Sequence, residues 1–185
     1  MERRNKLTKE IAEKLREIYN DHRDAMFAEA KDILQDYSLA EDAVQQAFLK
    51  LIKKFEKFPT GDFEITRRFL RIVVRNVAID MYNSRNKKDS NMEYIDEIHT
   101  EENRKYSLSK TPCDEVIEKE ANERLYEMID KLPRRYRDVL IFEKIYGYSQ
   151  KEIAETLNIS YDAVKKRMER ARKMLKEKLR KEELI

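Results

Sequence analysis

The residues best suited to chemistry in this sequence are the lysines and arginines that crowd a segment near its C-terminus. Between Tyr161 and Lys181 ten basic residues stand against three acidic ones, a local charge of +7, whereas the whole 185-residue chain carries +3. Such a segment can neutralise the phosphates of a nucleic acid. A lysine-rich helix that only faces solvent explains the charge equally well. The sequence around this segment is therefore needed to distinguish a nucleic-acid-binding helix from a solvated one.

Signals for two short helices joined by a tight turn surround the start of this segment. Ser149 and Glu152 have the spacing of a capping box, in which each side chain binds a backbone N–H of the other residue. The turn ends at Ser160, which is placed to cap the next helix. Ala154 and Ala163 are small enough to let the two helices cross closely. The pattern predicts a helix-turn-helix whose second helix can enter the major groove of DNA.

The side chains of this second helix sort into two kinds of DNA contact. Lysine and arginine can donate hydrogen bonds to guanine, and Glu169 can accept one from the amino group of cytosine. The residues on or near the predicted outer face are Tyr161, Asp162, Lys165, Lys166, Glu169 and Arg170. Phosphate contacts position a protein without reading sequence. The residues expected to make them are Arg167, Arg172, Lys173 and Lys176.

The overall composition narrows the fold and removes most enzymes. With 2 glycines and 3 prolines, long helices with short joints are expected, so the fold is predicted to be all-α. Phosphate-binding loops need several glycines close together, whereas Gly61 and Gly147 stand far apart. His22, His99 and Cys113 show no metal-ligand spacing. We therefore predict no catalytic residue, metal or cofactor, and a single cysteine without a signal peptide predicts a soluble cytoplasmic protein.

Helical periodicity divides the chain into two small helical domains. The first is predicted at 1–85 and the second, which contains the helix-turn-helix, at 111–185. Residues 86–110 are polar and acidic, and we predict that they form a flexible linker. In the second domain Pro133 is expected to begin a helix that ends at Gly147, because glycine tolerates the left-handed conformation that often follows a helix.

The first domain is predicted to be a compact bundle of three to four helices. One long helix, or two joined end to end, is expected from Leu7 to about Tyr37. Ser38 and Glu41 have capping-box spacing, so another helix is predicted to begin there. Its expected buried stripe consists of Val44, Ala47, Phe48, Leu51, Ile52 and Phe55.

The last helix of this domain is predicted from about Thr66 to Asn83, after a loop. Apolar residues occupy one side of the helix. The residues on the opposite side are Arg68, Arg71 and Arg75. Phe58 and Phe63 in the loop, beside these arginines, can hold an extruded base of single-stranded DNA. For each phenylalanine, simple packing of the loop is an equally good explanation.

Motifs in both domains resemble one known family. The C-terminal domain of extracytoplasmic-function (ECF) sigma factors of bacterial RNA polymerase is similar to Asp130–Leu140 (DKLPRRYRDVL), Gly147–Ala154 (GYSQKEIA) and Ala163–Arg167 (AVKKR). The N-terminal domain of that family is similar to Leu39–Lys50 (LAEDAVQQAFLK) and Phe69–Asp80 (FLRIVVRNVAID). The motifs occur in the order of the family, with a short linker between them, and they cover nearly the whole chain.

The resemblance implies a transcription initiation factor and not an enzyme. It implies that the chain binds RNA polymerase core, at the clamp coiled coil of the largest subunit and at the flap. The residues implied at the clamp coiled coil are Asp42, Gln45, Gln46 and Leu49. From the residues alone, Leu49 lies off the buried stripe and beside polar neighbours, which is typical of a partner surface.

The resemblance also implies promoter DNA as a partner. The last helix of the first domain and the loop before it would act at the −10 element. The residues implied there are Arg67, Arg68, Arg71, Arg75 and Asn76. The helix that starts at Ser160 would read the −35 element through the residues named above, including Lys173. Members of this family are commonly silenced by an anti-sigma factor, which is a further expected partner, and no membrane insertion is expected of this chain.

Other interpretations stay open at this point. An ordinary helix-turn-helix regulator would bind duplex DNA without polymerase. A helical adaptor or anti-factor would bind only protein, but it leaves the basic helix unexplained. An enzyme that acts on nucleic acid comes third, because the sequence offers neither a metal site nor a nucleophile set.

Overall fold

The computed structural model describes residues 2–52, 62–86, 125 and 127–182. Every regular element in these ranges is an α-helix, which confirms the all-α prediction. The helices are α1 (Glu2–Leu34), α2 (Tyr37–Ile52), α3 (Phe63–Asn86), α4 (Arg134–Lys144), α5 (Gln150–Leu157) and α6 (Tyr161–Glu182). In the ranges described, no helix combines the length and the apolar character that a membrane crossing requires.

The chain divides into two compact units. We call α1–α3 the N-terminal unit and α4–α6 the C-terminal unit. The predicted linker at 86–110 lies outside the described residues, except for Asn86 at the end of α3.

A single helix, α1, occupies the region where the sequence allowed one helix or two. It ends at Leu34, and Gln35 follows with a positive φ of 53°, the left-handed conformation that commonly terminates helices. The next helix is capped by Asp36, whose Oδ1 accepts a hydrogen bond from the N–H of Leu39 (3.0 Å). The predicted capping box at Ser38 is therefore wrong, because Ser38 already lies in the first turn of α2.

The core of the N-terminal unit lies where α1, α2 and α3 pack against one another. α2 contributes the buried side chains of Ala40, Ala43, Val44, Ala47, Phe48 and Leu51. α3 contributes Phe69, Leu70, Ile72, Val73, Val74, Val77 and Ala78. The prediction that Ile52 belongs to the buried stripe is wrong, since this residue is 49% exposed. Phe55, another predicted member, lies outside the described residues.

α3 begins three residues earlier than predicted. Asp62 caps it, because its Oδ1 accepts a hydrogen bond from the N–H of Ile65 (2.9 Å). Phe63 is consequently the first residue of the helix and not part of a loop, while Phe58 lies outside the described residues.

In the C-terminal unit, Pro133 directly precedes α4, as predicted. Proline suits this position because its missing N–H would have no partner within the helix. The predicted end of the helix is wrong by three residues, because α4 stops at Lys144. Gly147 does adopt the left-handed conformation, with φ +66°, but it lies in the connection that leads to α5.

Candidate nucleic-acid and polymerase interfaces

The capping box that opens α5 is formed as the sequence predicts. The N–H of Ser149 donates to Glu152 Oε2 (2.9 Å), and the N–H of Glu152 donates to Ser149 Oγ (3.3 Å). The serine hydroxyl also lies 2.8 Å from the same carboxylate oxygen. These bonds satisfy N–H groups at the start of the helix that have no partner further along it, so they fix where α5 begins.

The turn between α5 and α6 is equally well defined. Asn158 takes a positive φ of 53°, which asparagine adopts more readily than most residues. Ser160 then caps α6, because its Oγ accepts a hydrogen bond from the N–H of Ala163 (3.1 Å). The prediction of a cap at Ser160 is confirmed, and the cap fixes the direction in which the first turn of α6 projects.

Apolar contacts hold the two helices of this motif together. Ile153 and Leu157 on α5 are almost completely buried, as are Val164, Met168 and Ala171 on α6. Because these α6 residues recur at intervals of four and three, they line one side of the helix. The opposite side is therefore available to a partner.

Tyr148 anchors the connection that precedes α5. Its ring is 2% exposed and meets the ring of Phe142 edge-on, with the centroids 5.3 Å apart. Its N–H donates to the carbonyl of Phe142 (2.9 Å). Burial, with the carboxylate of Glu152 nearby, raises the pKa of Tyr148 to about 12, so the phenol stays neutral at physiological pH.

The structure places most of the predicted DNA-contacting residues on the outer side of α6. The exposed residues in that set are Ser160, Tyr161, Asp162, Lys165, Lys166, Glu169, Arg170 and Lys173. Tyr161 is 53% exposed, a large value for an aromatic residue. Arg167 is half-buried.

Two arginines of α6 have partners on α4 that the sequence did not reveal. Arg172 Nη2 lies 2.9 and 3.1 Å from the two carboxylate oxygens of Glu143. Arg170 Nη1 lies 3.5 Å from the hydroxyl oxygen of Tyr136. Arg172 was expected to meet phosphate, but its charge is already matched by a carboxylate of the same unit.

The outer side of α2 carries the four residues expected at the polymerase. Asp42, Gln45, Gln46 and Leu49 are all exposed. Leu49 is 59% exposed, and Ile52, one turn further along, is 49% exposed. Sequence reasoning missed Ile52, because it had been assigned to the buried stripe. The two aliphatic side chains extend an otherwise polar surface with apolar area that a partner can cover.

The arginines of α3 are arranged differently from the prediction. The expectation that Arg75 lies on the side opposite the core is wrong, because Arg75 is 8% exposed. Glu29 of α1, itself 8% exposed, pairs with it at 3.4 Å. The same carboxylate accepts a hydrogen bond from Arg71 Nε (2.9 Å) and pairs with the Nη2 atom of that arginine. This buried ion-pair network holds α3 against α1.

The remaining residues expected at the −10 element lie along α3. Arg67 and Arg68 are half-buried near its N-terminus, where Arg67 also lies 3.4 Å from Glu64. Asn76 donates its Nδ2 hydrogen to the carbonyl of Ile72 within the helix (2.7 Å). The five residues expected at the −10 element therefore do not form one continuous exposed stripe. The more accessible ones, Arg67 and Arg68, lie at the N-terminal end of α3.

A compact helix-turn-helix with an exposed basic helix is the architecture of a DNA-binding transcription factor. Residues 18–88 match the family described as Sigma-70 region 2, and residues 122–175 match Sigma-70, region 4. The chain is 31% identical over 189 residues to ECF RNA polymerase sigma factor SigW from Bacillus subtilis (strain 168), with 92% of this chain and 97% of the relative covered.

Two further relatives come from the same organism. RNA polymerase sigma factor SigZ is 31% identical over 146 residues, with 79% of this chain and 76% of the relative covered. RNA polymerase sigma factor SigV is 28% identical over 164 residues, with 89% and 90% covered. The chain belongs to the ECF family of RNA polymerase sigma factors, and its function is promoter recognition and transcription initiation.

Proposed function

We propose that this sigma factor binds core polymerase through α2, acts at the −10 element through the start of α3, and reads the −35 element through α6. The observation that carries the proposal is the two-sided character of α6. Val164 and Met168 fix one side in the core, while the other side is exposed and basic. A helix held in this way fits the major groove, where base edges can be distinguished.

Within α6 we assign base contacts to the side chains nearest its capped end. Lys165 and Lys166 are exposed cations that can donate to guanine, and Glu169 can accept from cytosine. We assign phosphate contacts to Arg167 and Lys173, which lie further round or along the helix. Arg172 is outside the proposed site, because Glu143 already engages it.

The clamp coiled coil of the largest polymerase subunit is the proposed partner of the outer side of α2. Asp42 and Gln45 supply polar contacts, and Leu49 supplies an apolar one. Ile52 extends the apolar part of this surface by one turn. The flap of the polymerase is the second proposed contact on the core enzyme.

At the −10 element we propose contacts from Arg67 and Arg68. Their position near the N-terminus of α3 suits an anionic partner, because the helix dipole is positive there. Arg71 and Arg75 serve to hold α3 in place, since Glu29 of α1 engages both. Asn76 is half-buried, and its side chain donates a hydrogen bond to the carbonyl of Ile72 within α3. We propose that it supports the helix surface that contacts the −10 element.

Family membership supports two further assignments. We propose that the protein acts in the cytoplasm, where core polymerase and chromosomal DNA are found. We also propose that an anti-sigma factor silences it, as is common in this family.

Run-off transcription tests the proposed function. Compatible bacterial core polymerase is supplied with a library of genomic fragments, with and without the purified protein, and the 5′ ends of the transcripts are sequenced. We expect new start sites that share two upstream motifs separated by about one to two helical turns of DNA. Starts that share only one motif, or no binding to active core polymerase, would contradict the proposal.

A further inference from the structure

Arg170 is an exposed cation of α6 whose side chain has a neighbour on α4. Its Nη1 atom lies 3.5 Å from the hydroxyl oxygen of Tyr136, 34 residues away along the chain. A guanidinium only donates hydrogen bonds, so the phenol oxygen is the acceptor. The distance is at the long end of the hydrogen-bond range, which makes this bond a weak restraint on the arginine side chain.

The ring of Tyr136 is held in place from several directions. Tyr136 is 7% exposed, and its N–H donates to the carbonyl of Pro133 (2.9 Å). The guanidinium carbon of Arg135 lies 4.9 Å from the ring centroid, within the range of a cation–π contact. Arg137, the next residue, donates from Nη1 to the carbonyl of Asp130 (3.4 Å), which ties the first turn of α4 to the segment before it. The phenol hydroxyl is therefore presented to α6 from a rigid support.

The two arginines of α6 that contact α4 differ in the charge of their partners. Arg172 lies within 3.1 Å of both carboxylate oxygens of Glu143, so its positive charge is matched within the protein. The hydroxyl of Tyr136 is a neutral acceptor, so it leaves the charge of Arg170 uncompensated. The contact with Tyr136 therefore restrains the orientation of this guanidinium without removing its attraction for DNA.

We propose that Tyr136 is a positioning residue for recognition of the −35 element, and that Arg170, held by its hydroxyl, donates to a guanine there. The inference rests on the proposed function, because it assumes that α6 lies in the major groove of this element. The contact with Tyr136 uses Nη1 of the arginine, so the N–H groups on Nη2 and Nε can point at a base. Guanine presents N7 and O6 to the major groove, and one arginine can donate to both.

Orientation matters more for a base contact than for a phosphate contact. A phosphate attracts a cation from many directions, whereas N7 and O6 of guanine accept from donors that lie near the plane of the base. Arginine has a long side chain, and fixing it costs conformational entropy when DNA binds. A restraint that is already present in the free protein lowers this cost. Tyr136 therefore acts on the reading of sequence through Arg170, while its own ring stays in the core.

Removal of a single hydroxyl group tests this proposal. Holoenzyme assembled with compatible core polymerase is titrated with duplexes of a promoter mapped by run-off transcription, and with duplexes in which one G·C pair of the −35 element at a time is changed to A·T. With the wild-type protein, one of these changes should weaken binding because the Arg170 contact is lost. Tyr136→Phe keeps the buried ring and should weaken binding to the correct duplex about 2- to 10-fold. On the duplex altered at that position, Tyr136→Phe and wild type should bind equally.

A double substitution and a matched control separate positioning from folding. Arg170→Ala should weaken binding to the correct duplex on the order of 5- to 100-fold, and the addition of Tyr136→Phe should cause no further loss. Tyr148→Phe removes a hydroxyl from another buried tyrosine of the C-terminal unit and should leave DNA binding unchanged. Thermal unfolding of each variant is measured in parallel, since a purely structural role of Tyr136 would weaken binding to all duplexes alike and would persist in Arg170→Ala.

The outcomes distinguish this inference from the proposed function. Normal binding by folded Tyr136→Phe, or a loss that is the same on every duplex, would overturn the positioning role. A loss from Arg170→Ala that is uniform across the altered duplexes would overturn the guanine contact. If Lys165→Ala still shows a sequence-dependent loss in any of these cases, α6 reads the −35 element and only the inference fails. If Lys165→Ala also binds every duplex normally, the proposed function of α6 fails with it.

Discussion

The two basic helices of this sigma factor, α3 and α6, use their cations in different ways. α3 is covered by apolar neighbours over much of its circumference, and Glu29 of α1 engages both Arg71 and Arg75. α6 is buried along one side only, so most of its lysines and arginines face solvent. The number of basic residues on a helix therefore does not indicate how many are available to DNA. The number available depends on which of these side chains are already bound to a partner within the protein.

The exposed outer side of α2 offers the largest expected effect. Asp42→Arg and Leu49→Glu should each abolish capture of core polymerase, because one reverses a charge and the other places a charge on an apolar contact. Glu13→Arg, on the exposed side of α1, is the matched control and should bind normally. A pull-down with purified core polymerase measures all three. Normal capture by folded Asp42→Arg and Leu49→Glu would show that the outer side of α2 does not bind core polymerase.

Removing the carboxylate that engages the α3 arginines should have a large effect on stability. Glu29→Gln leaves two guanidinium groups without their buried counter-charge, and we expect a loss of about 3–5 kcal/mol in the free energy of unfolding. Denaturant unfolding followed by circular dichroism measures it.

A surface ion pair of the same unit provides the control for this experiment. Arg23 and Glu41 lie 3.7 Å apart, with side chains 48% and 41% exposed. Glu41→Gln should cost less than about 1 kcal/mol, because solvent screens the pair. Equal losses for the two variants would mean that the Glu29 network is not a special support of α3.

The exposed cations of α6 should show their effect in DNA binding instead of stability. Lys165→Ala is expected to cost about 1–3 kcal/mol at the correct −35 sequence if Lys165 reads a base. Arg172→Ala, whose side chain is bound to Glu143, should weaken DNA binding much less. Equilibrium binding of holoenzyme to correct and altered −35 duplexes measures both. A loss from Lys165→Ala that is uniform across sequences would mark a phosphate contact.

The two units should also respond to opposite extremes of pH. Burial lowers the pKa of His22, so this imidazole binds a proton less readily in the folded N-terminal unit than in the unfolded chain. The contribution of neutral His22 to stability should be lost as the pH drops below about 6.5, and His22→Leu should lack this contribution. The free energy of unfolding of wild type and of His22→Leu is measured at pH 7.5 and pH 5.5. We expect wild type to lose more stability between the two values, and an equal loss in both proteins would contradict this prediction.

In the C-terminal unit the sign is reversed. The pKa of Tyr148 is raised to about 12, so the unfolded chain loses the phenol proton first, near the ordinary value of about 10. The stabilising contribution of Tyr148 should be complete below pH 10 and should be lost as the pH rises through 12. Tyr148→Phe should show a smaller alkaline loss in the same unfolding measurements.

Features set by neighbouring residues could be predicted from the sequence. The Ser149–Glu152 capping box and the Ser160 cap each join residues three apart, and the spacing of apolar residues located α5 and α6. The cap of α2 was misassigned because Asp36 and Ser38 are both good capping residues, and only the backbone shows which one lies outside the helix.

Features that join distant parts of the chain could not be predicted. Glu29 lies 42 and 46 residues from its two arginines, and Glu143 lies 29 residues from Arg172. Periodicity shows which side of a helix is polar, but it does not show which opposite charge folding brings to that side. The sequence therefore counted Arg75, which is buried, among the accessible cations, and it did not reveal the carboxylate that engages Arg172.

The central claim is that α6 and the start of α3 act on separate promoter elements, and one transcription experiment tests it most directly. Wild type, Lys165→Ala and Arg67→Ala are each assayed on the mapped promoter, on one with an altered −35 element and on one with an altered −10 element. We expect the loss caused by Lys165→Ala to disappear only when the −35 element is altered, and the loss caused by Arg67→Ala to disappear only when the −10 element is altered. Losses that stay the same on all three promoters would contradict the claim.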